Sequence, residues 1–246
     1  LGTVPHDWDA ATYDRLPIPM TGWGLEVLER LRLRGDETVL DVGCGTGQVT
    51  EALRERLPRG HVIALDASPS MIAAAVERLG ADRMTYLTQD LLDPIPIDPV
   101  DAIFSTATFH WIVDHDRLFA NLAAVLRPRG QLVAQCGGWG NLERLNAAAE
   151  RAAGIDLMAT KRYATPEETW TRLEAEGFVD IETWLTEAPI ELPAGELEPY
   201  LRTVILSGEV ARRSPEDADQ LVHAVATELG EPSIDYVRLN IVARMG

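Results

Sequence analysis

Between Glu37 and Cys136 the chain alternates short, β-branched runs with segments of helical spacing, joined by brief connections. This rhythm constrains the fold more than any other feature, because parallel strands need a crossover, usually a helix, between them. Residues 38–42 form the first strand-like run and lead into glycines. Helical spacing over 49–57 follows and stops at Pro58, with Gly60 beyond. Residues 61–66 read as a second buried strand. Ser68 caps the next helix, Pro69 fits its first turn and Gly80 ends it. Strands are expected over 84–88 and 100–105, a helix capped by Asp114 over 117–126, and a fifth strand over 131–136.

After Gly140 the rhythm changes. Helices are expected over 142–153 and 166–176, a strand over 178–186, helical segments over 196–207 and 215–229, and a closing strand over 236–243. A last strand reached through a helical insertion predicts an antiparallel addition to the sheet.

Charge narrows the partners. The 246 residues carry 39 Asp and Glu against 22 Lys and Arg, a net charge of −17. Protein–nucleic acid affinity draws heavily on cations that neutralise phosphates. Here the single lysine, Lys161, stands among scattered arginines, so nucleic acid and anionic membrane surfaces are poor partners. No run of 18 apolar residues predicts a membrane-spanning helix. The first ten residues lack the basic-then-apolar order of a signal peptide. Leu1 where Met would stand suggests that residues have been removed ahead of it. Two cysteines, Cys44 and Cys136, form neither a disulfide framework nor a CxxC pair, which fits a reduced cytoplasmic setting.

The sharpest motif is Val39-Leu40-Asp41-Val42-Gly43-Cys44-Gly45-Thr46-Gly47. Glycines between a strand and a helix let backbone approach a ligand without Cβ interference, and ligands of open α/β sheets sit outside the carboxyl ends of the strands. The spacing is G-x-G-x-G. The dinucleotide fingerprint is G-x-G-x-x-G, and its third glycine position is held here by Gln48. Further polar residues stand at successive strand ends. Asp66 can accept from a ribose diol, Asp90 from an exocyclic amine, and Ser105-Thr106-Ala107-Thr108 follows the fourth strand. Singly, such aspartates are ordinary turn residues; together they mark one edge of the sheet.

With these residues the sequence resembles the class I S-adenosylmethionine-dependent methyltransferases, in the small-molecule branch that includes trans-aconitate methyltransferase. The likeness is carried by Trp8-Asp9 with Tyr13, the Asp41–Gly47 loop, Leu65 to Met71, Gln89-Asp90-Leu91, and Phe104 to Trp111 with Asp114-His115. It implies an α/β, Rossmann-like fold: a seven-stranded, mostly parallel sheet with an antiparallel last strand and a helical lid insertion. It implies one domain over 1–246, with an N-terminal helical lid segment over 1–35, a cofactor-binding core over 36–140 and a substrate lid over 188–232. S-adenosyl-L-methionine is the implied cofactor and S-adenosyl-L-homocysteine its product. Gly43, Cys44, Gly45 and Gly47 would line the methionine part, with Asp41 near its ammonium. Asp66, beside Ala67, would hold the ribose, Met71 would pack on the adenine, and Asp90 with Leu91 would read its edge. Thr106 and Thr108 would border the sulfonium, and Tyr13 would close the site, with Trp8 a further candidate.

His110 is the candidate general base, since an imidazole at the site mouth takes a proton near neutral pH; packing beside Trp111 is the competing role. His6 is a second candidate. His110, Asp114, His115 and Asp116 lack a standard metal-ligand spacing, so no metal is expected. Trp23, His110, Trp139, Tyr200 and Arg202 are candidate substrate residues. The stretch from Tyr200 to Gly208 keeps one arginine, Arg202, in otherwise mostly apolar surroundings, which favours a partly hydrophobic metabolite over a polycarboxylate such as trans-aconitate. A non-methylating member of the same fold would carry the same cofactor loop. A nicotinamide oxidoreductase is disfavoured by the glycine spacing. A nucleic-acid methyltransferase is disfavoured by the absence of an Asn/Asp-Pro-Pro-aromatic motif after the fourth strand. The acceptor atom, and the choice between monomer and homodimer, stay open.

Overall fold

The computed structural model describes residues 19–246. Tyr13, Trp8, Asp9 and His6 lie outside the described residues. Helix α1 (Met20–Leu28) precedes β1 (Thr38–Val42), α2 (Gln48–Glu55), β2 (His61–Asp66), α3 (Pro69–Leu79), β3 (Met84–Thr88) and β4 (Val100–Thr106). A single 3-10 turn (Phe109–Trp111) leads to α4 (His115–Ala124), β5 (Leu126–Gly137), α5 (Glu143–Ala153), α6 (Pro166–Ala175) and β6 (Phe178–Glu187). Seven strands form one sheet in the order β3-β2-β1-β4-β5-β9-β6, where β9 is Val237–Met245. Neighbours from β3 to β5 pair in parallel, and β9 runs antiparallel to both β5 and β6.

The expected capping chemistry is present. The Ser68 hydroxyl accepts from Met71 N, and Asp114 accepts from Arg117 N at the start of α4. Several boundaries shift from the sequence-based expectation, most of all at the α4–β5 junction. Helix α4 ends at Ala124, ahead of the expected 126, and β5 begins at Leu126, ahead of the expected 131. Strand β5 begins early because Leu126 pairs with Val100, and a register shift before Ala102 lets the Pro128–Arg129 kink pass along the strand.

The helical insertion lies between β6 and β9. It contains the short strands β7 (Ile190–Glu191) and β8 (Ser233–Ile234), which pair with each other. Between them stand α7 (Leu197–Tyr200), a π-helical turn (Leu201–Ile205), α8 (Ser207–Val210) and α9 (Pro215–Leu229). The expected continuous helix over 196–207 is thus broken by the π turn.

One apolar cluster joins Val27, Leu28, Leu53 and Leu79 to the strand residues Val39, Ala64 and Phe104. Another joins Leu118, Phe119 and Leu122 of α4 to Leu40, Ile103 and Leu132. A third holds the insertion, packing Leu221, Val222 and Val225 of α9 against Leu145 and Ala149 of α5. Burying each of the Val, Leu, Ile and Phe side chains among these contributes about 1.5–3 kcal/mol. Among the described residues no helix is long and apolar enough to cross a membrane.

Candidate active site

The strand order reverses between β1 and β4, and ligands of doubly wound sheets bind at such a point. Ser105 ties the two strands there by donating to the Val42 carbonyl at 2.8 Å. The loop leaving β1 is fastened to β2, because Gly43 N and Cys44 N both donate to the Leu65 carbonyl. Gly43 has φ +73°, and a Cβ on it would lie 2.0 Å from Thr108 Oγ1, so the loops after β1 and β4 touch at this residue. Gly45 has φ +55°, and no atom lies within 4 Å of the place a Cβ would take, which leaves an open cradle on the ligand side.

Two carboxylates flank the cradle. Asp41 is 3% exposed and accepts from Thr50 Oγ1 at 2.6 Å. Burial pushes its carboxyl up to about 7; the Thr50 bond opposes this and the nearby Asp66 charge adds to it. Asp66 accepts from Ser68 N at 2.9 Å through Oδ1 and from Gly45 N at 3.0 Å through Oδ2. Burial also raises its pKa, against the pull of those N–H groups. Each oxygen keeps acceptor capacity for a ligand hydroxyl. Burial, then the two aspartates, raise the Cys44 thiol well above its ordinary range, so it stays protonated.

Asp90 accepts from Leu92 N at 2.9 Å; Leu91 and Met71 are buried, and Ala67 is half-buried after Asp66. Thr106 and Thr108 are half-buried, and Ala107 between them takes φ +57°. A cleft of about 60 Å³ remains between Asp41, Gly43, Gly45 and Thr106 on one side and Met20 and Thr21 of α1 on the other. Thr21 donates to Gln48 across it. Met20 and Thr21 were not expected in the site, since their sequence pattern marks only an ordinary helix start. The cradle and the carboxylate acceptors suit a cationic nucleoside such as S-adenosylmethionine: carboxylates for an ammonium and a diol, backbone without side chains for close approach.

On the β5–β9 side of the edge the chemistry inverts. His110 is buried, and its Nδ1 accepts from Gly137 N at 3.3 Å, which puts the proton of the neutral ring on Nε2. Its ring stacks on Tyr163 with centroids 5.7 Å apart. Burial first, then the charges of Arg238, Lys161 and His115, hold its pKa well below the usual value. Trp23 meets Tyr236 edge-on at 5.3 Å, and the Arg238 guanidinium lies over Trp23 at 5.0 Å. The hydroxyls of Tyr200 and Tyr236 are 2.7 Å apart.

The structure therefore gathers Trp23, His110 and Tyr200 around Arg238. It leaves Trp139 65% exposed and pairs Arg202 with Asp219 on the outer part of the insertion. Arg238, Tyr163 and Tyr236 were not among the expected site residues.

Comparison with known proteins agrees with this geometry. Residues 39–130 match the family described as methyltransferase domain. Trans-aconitate 2-methyltransferase of Acidovorax ebreus (strain TPSY) is 37% identical over 130 residues, which is 53% of this chain and 50% of that protein. The chain thus spans about half the length of the first curated relatives it matches. Trans-aconitate 2-methyltransferase of Methylobacterium nodulans is 33% identical over 182 residues, 74% of this chain and 68% of that one. Among solved structures, Haemonchus contortus phosphoethanolamine N-methyltransferase 2, with phosphomonomethylethanolamine and S-adenosylhomocysteine bound, shares the fold with a TM-score of 0.61. It is 22% identical, over 91% of this chain and 52% of that one. The motif loop, the strand order and the curated relatives agree, and the chain belongs to the class I S-adenosylmethionine-dependent methyltransferases.

Proposed function

We propose that the protein transfers the methyl group of S-adenosylmethionine to a small-molecule acceptor, not to nucleic acid. The observation that carries this reading is the pair of aspartates, Asp41 in β1 and Asp66 at the end of β2, at the open Gly45 cradle. In it Gly43, Cys44, Gly45 and Gly47 line the methionine part and Asp41 faces its ammonium. Asp66 with Ala67 holds the ribose, Met71 packs on the adenine, and Asp90 with Leu91 reads its edge. Thr106 and Thr108 border the sulfonium. The cofactor supplies an electrophilic methyl; the chain supplies orientation and exclusion of water. The insertion over 188–232 acts as a lid on the acceptor.

The acceptor side combines aromatic rings, Trp23, Tyr200 and Tyr236, with a neutral imidazole, which supports an acceptor with an apolar body. The name of the relatives, trans-aconitate 2-methyltransferase, favours an organic acid. Such an acceptor also fits His110. As a general base the ring would need the other tautomer and would give up the Gly137 bond, whereas a carboxylate oxygen has no proton to lose. In this reading His110 donates through Nε2.

Labelled methyl transfer from S-adenosylmethionine to defined pools of organic acids and neutral metabolites tests the activity. Asp66→Ala is expected to weaken S-adenosylhomocysteine binding at least tenfold by calorimetry. Unchanged affinity in that variant removes Asp66 from the ribose role.

A further inference from the structure

We propose that Trp23 joins the cofactor side and the acceptor lid into a single gate, hinged at Gly22. This rests on the methyl-transfer reading above and adds how its two sides open. Helix α1 begins Met20-Thr21-Gly22-Trp23-Gly24, a tryptophan between two glycines. Gly24 has a packing reason, since a Cβ there would lie 2.7 Å from Val49 Cγ2 and 3.5 Å from Thr106 Oγ1. Gly22 has none. No atom of the described residues lies within 4 Å of the place its Cβ would take. Glycine weakens a helix relative to alanine because it gives up more freedom on folding, and small residues serve as hinges for the same reason.

The two halves of α1 belong to different cores. Val27 and Leu28 pack with Leu53 and Phe104 against the sheet, and Arg30 Nη1 donates to Asn240 Oδ1 at 2.7 Å. Met20 and Trp23 pack instead against the apolar cluster of the insertion. Met20 and Thr21 also line the cofactor cleft, where Thr21 donates to Gln48. That cleft holds about 60 Å³, whereas small-molecule sites occupy about 300–1,000 Å³. Seating a nucleoside therefore requires the first turn of α1 to swing off the glycine loop, and Gly22 is the joint nearest the residues that must move.

Trp23 carries that swing to the insertion. Its ring meets Tyr236 edge-on at 5.3 Å, and the Tyr236 hydroxyl pairs with that of Tyr200 at 2.7 Å. Tyr200 ends α7 and leads into the π turn Leu201–Ile205, which lies between two helices of four residues each. Helices so short have no stability of their own, so this segment takes the position its contacts give it. Its ion pairs to α9, Arg202 with Asp219 and Glu198 with His223, are exposed and contribute little. The buried phenol pair, backed by Trp23, is its polar fastening on the inner side. When the first turn opens, the pair loses its backing and the lid loosens; when the turn closes on a nucleoside, both are seated again. A ligand shifts such an equilibrium only through contacts that differ between the states, and Met20 and Thr21 supply them.

The test compares the full chain with Gly22→Ala, Tyr236→Phe and Tyr200→Phe, and S-adenosylhomocysteine is the probe. Calorimetry gives its affinity, displacement of the labelled compound gives its release rate, and hydrogen exchange reports on residues 201–210. In the wild type the probe should slow exchange over 201–210 at least threefold, although no residue there lines the cofactor cleft. Gly22→Ala should raise the ligand-free Tm by about 1–4 °C, as a helix substitution with room for a methyl group does. It should also slow probe binding and release at least threefold each, with affinity within twofold of wild type. Tyr236→Phe should speed release at least threefold and remove most of the protection over 201–210; Tyr200→Phe makes the same measurement if that variant does not fold. Binding and release rates unchanged in Gly22→Ala overturn the proposal. So does protection over 201–210 that survives in a folded tyrosine variant. A wild type that binds the probe without protecting 201–210 overturns the gate and leaves cofactor binding standing. A wild type that does not bind S-adenosylhomocysteine sinks the methyl-transfer reading as well.

Discussion

Asp41 keeps a carboxyl where ionisation is costly, and this makes the cofactor-free protein sensitive to pH. An unfolded aspartate titrates near about 3.9, whereas the folded group titrates at about 7 because it is buried. The native state therefore holds this proton more tightly than the unfolded chain does. The stability it contributes is fully present below the ordinary carboxylate pKa and is lost as pH rises through about 7. The slope from this one group is at most about 1.4 kcal/mol per pH unit. Urea midpoints of wild type and Asp41→Asn, compared between pH 5 and pH 8, should show a wild-type decline that the variant lacks; parallel declines would assign it elsewhere. A cation beside Asp41 favours the carboxylate, so binding of S-adenosylhomocysteine, which keeps its ammonium, should tighten as pH rises toward about 7 and then level off.

The loop between β1 and α2 uses its glycines for different purposes, and two substitutions separate them. At Gly43 a methyl group would meet Thr108 side-chain atoms at 2.0 and 2.5 Å, with φ at +73°. Strain and overpacking each cost about 1–3 kcal/mol, so Gly43→Ala should lose about 2–6 kcal/mol in denaturant unfolding. At Gly45 the space is open, and only the left-handed backbone resists a side chain, at about 1–2 kcal/mol. Gly45→Ala should therefore unfold closer to wild type while losing more S-adenosylhomocysteine affinity than stability. Equal losses in both variants would mean that the cradle serves the fold alone. Both glycines were legible in the sequence because a strand, a tight turn and a helix are local events. Caps such as Ser68 and Asp114 were legible for the same reason. The early start of β5 was not, since Leu126 joins the strand only through Val100, a partner 26 positions earlier. Nor was the break in the insertion at Leu201–Ile205, where a π turn replaces the expected continuous helix beside the Tyr200–Tyr236 pair. The burial of Arg238 was not legible either. By residue type an arginine in a strand reads as solvent-facing, and only the packing of β9 between β5 and β6, with Trp23 laid over it, reveals a buried one.

At the scale of the whole molecule, a charge of −17 over 246 residues says little until its placement is known. Some of it is solvated pairing, such as Arg151–Glu228 and Arg144–Glu231 on the surface, where exposed ion pairs contribute about 0–1 kcal/mol each. The acid that selects a ligand is the small part at the carboxyl edge, Asp41 and Asp66 around Gly45. These groups attract a cationic nucleoside and repel the pyrophosphate of a dinucleotide. The side chain of Gln48, engaged by Thr21, stands where a dinucleotide fingerprint would carry its third glycine. Folding and cofactor binding are linked through this edge, because the unfolded chain has no such constellation. A ligand at 100 times its Kd stabilises the folded state by about 2.7 kcal/mol. In a chain of this size 1 kcal/mol moves Tm by about 2–4 °C. S-adenosylmethionine or S-adenosylhomocysteine at that excess should therefore raise Tm by about 5–10 °C, while NAD(H) at the same concentration should leave it within the scatter of repeat scans. Asp66→Ala should shrink the shift at fixed ligand concentration, since it weakens the complex and not the ligand-free fold alone. A shift with NAD(H) and none with either sulfur nucleoside would mean that the edge binds a dinucleotide despite its acid, and the charge argument built on Asp41 and Asp66 would fall with the cofactor assignment.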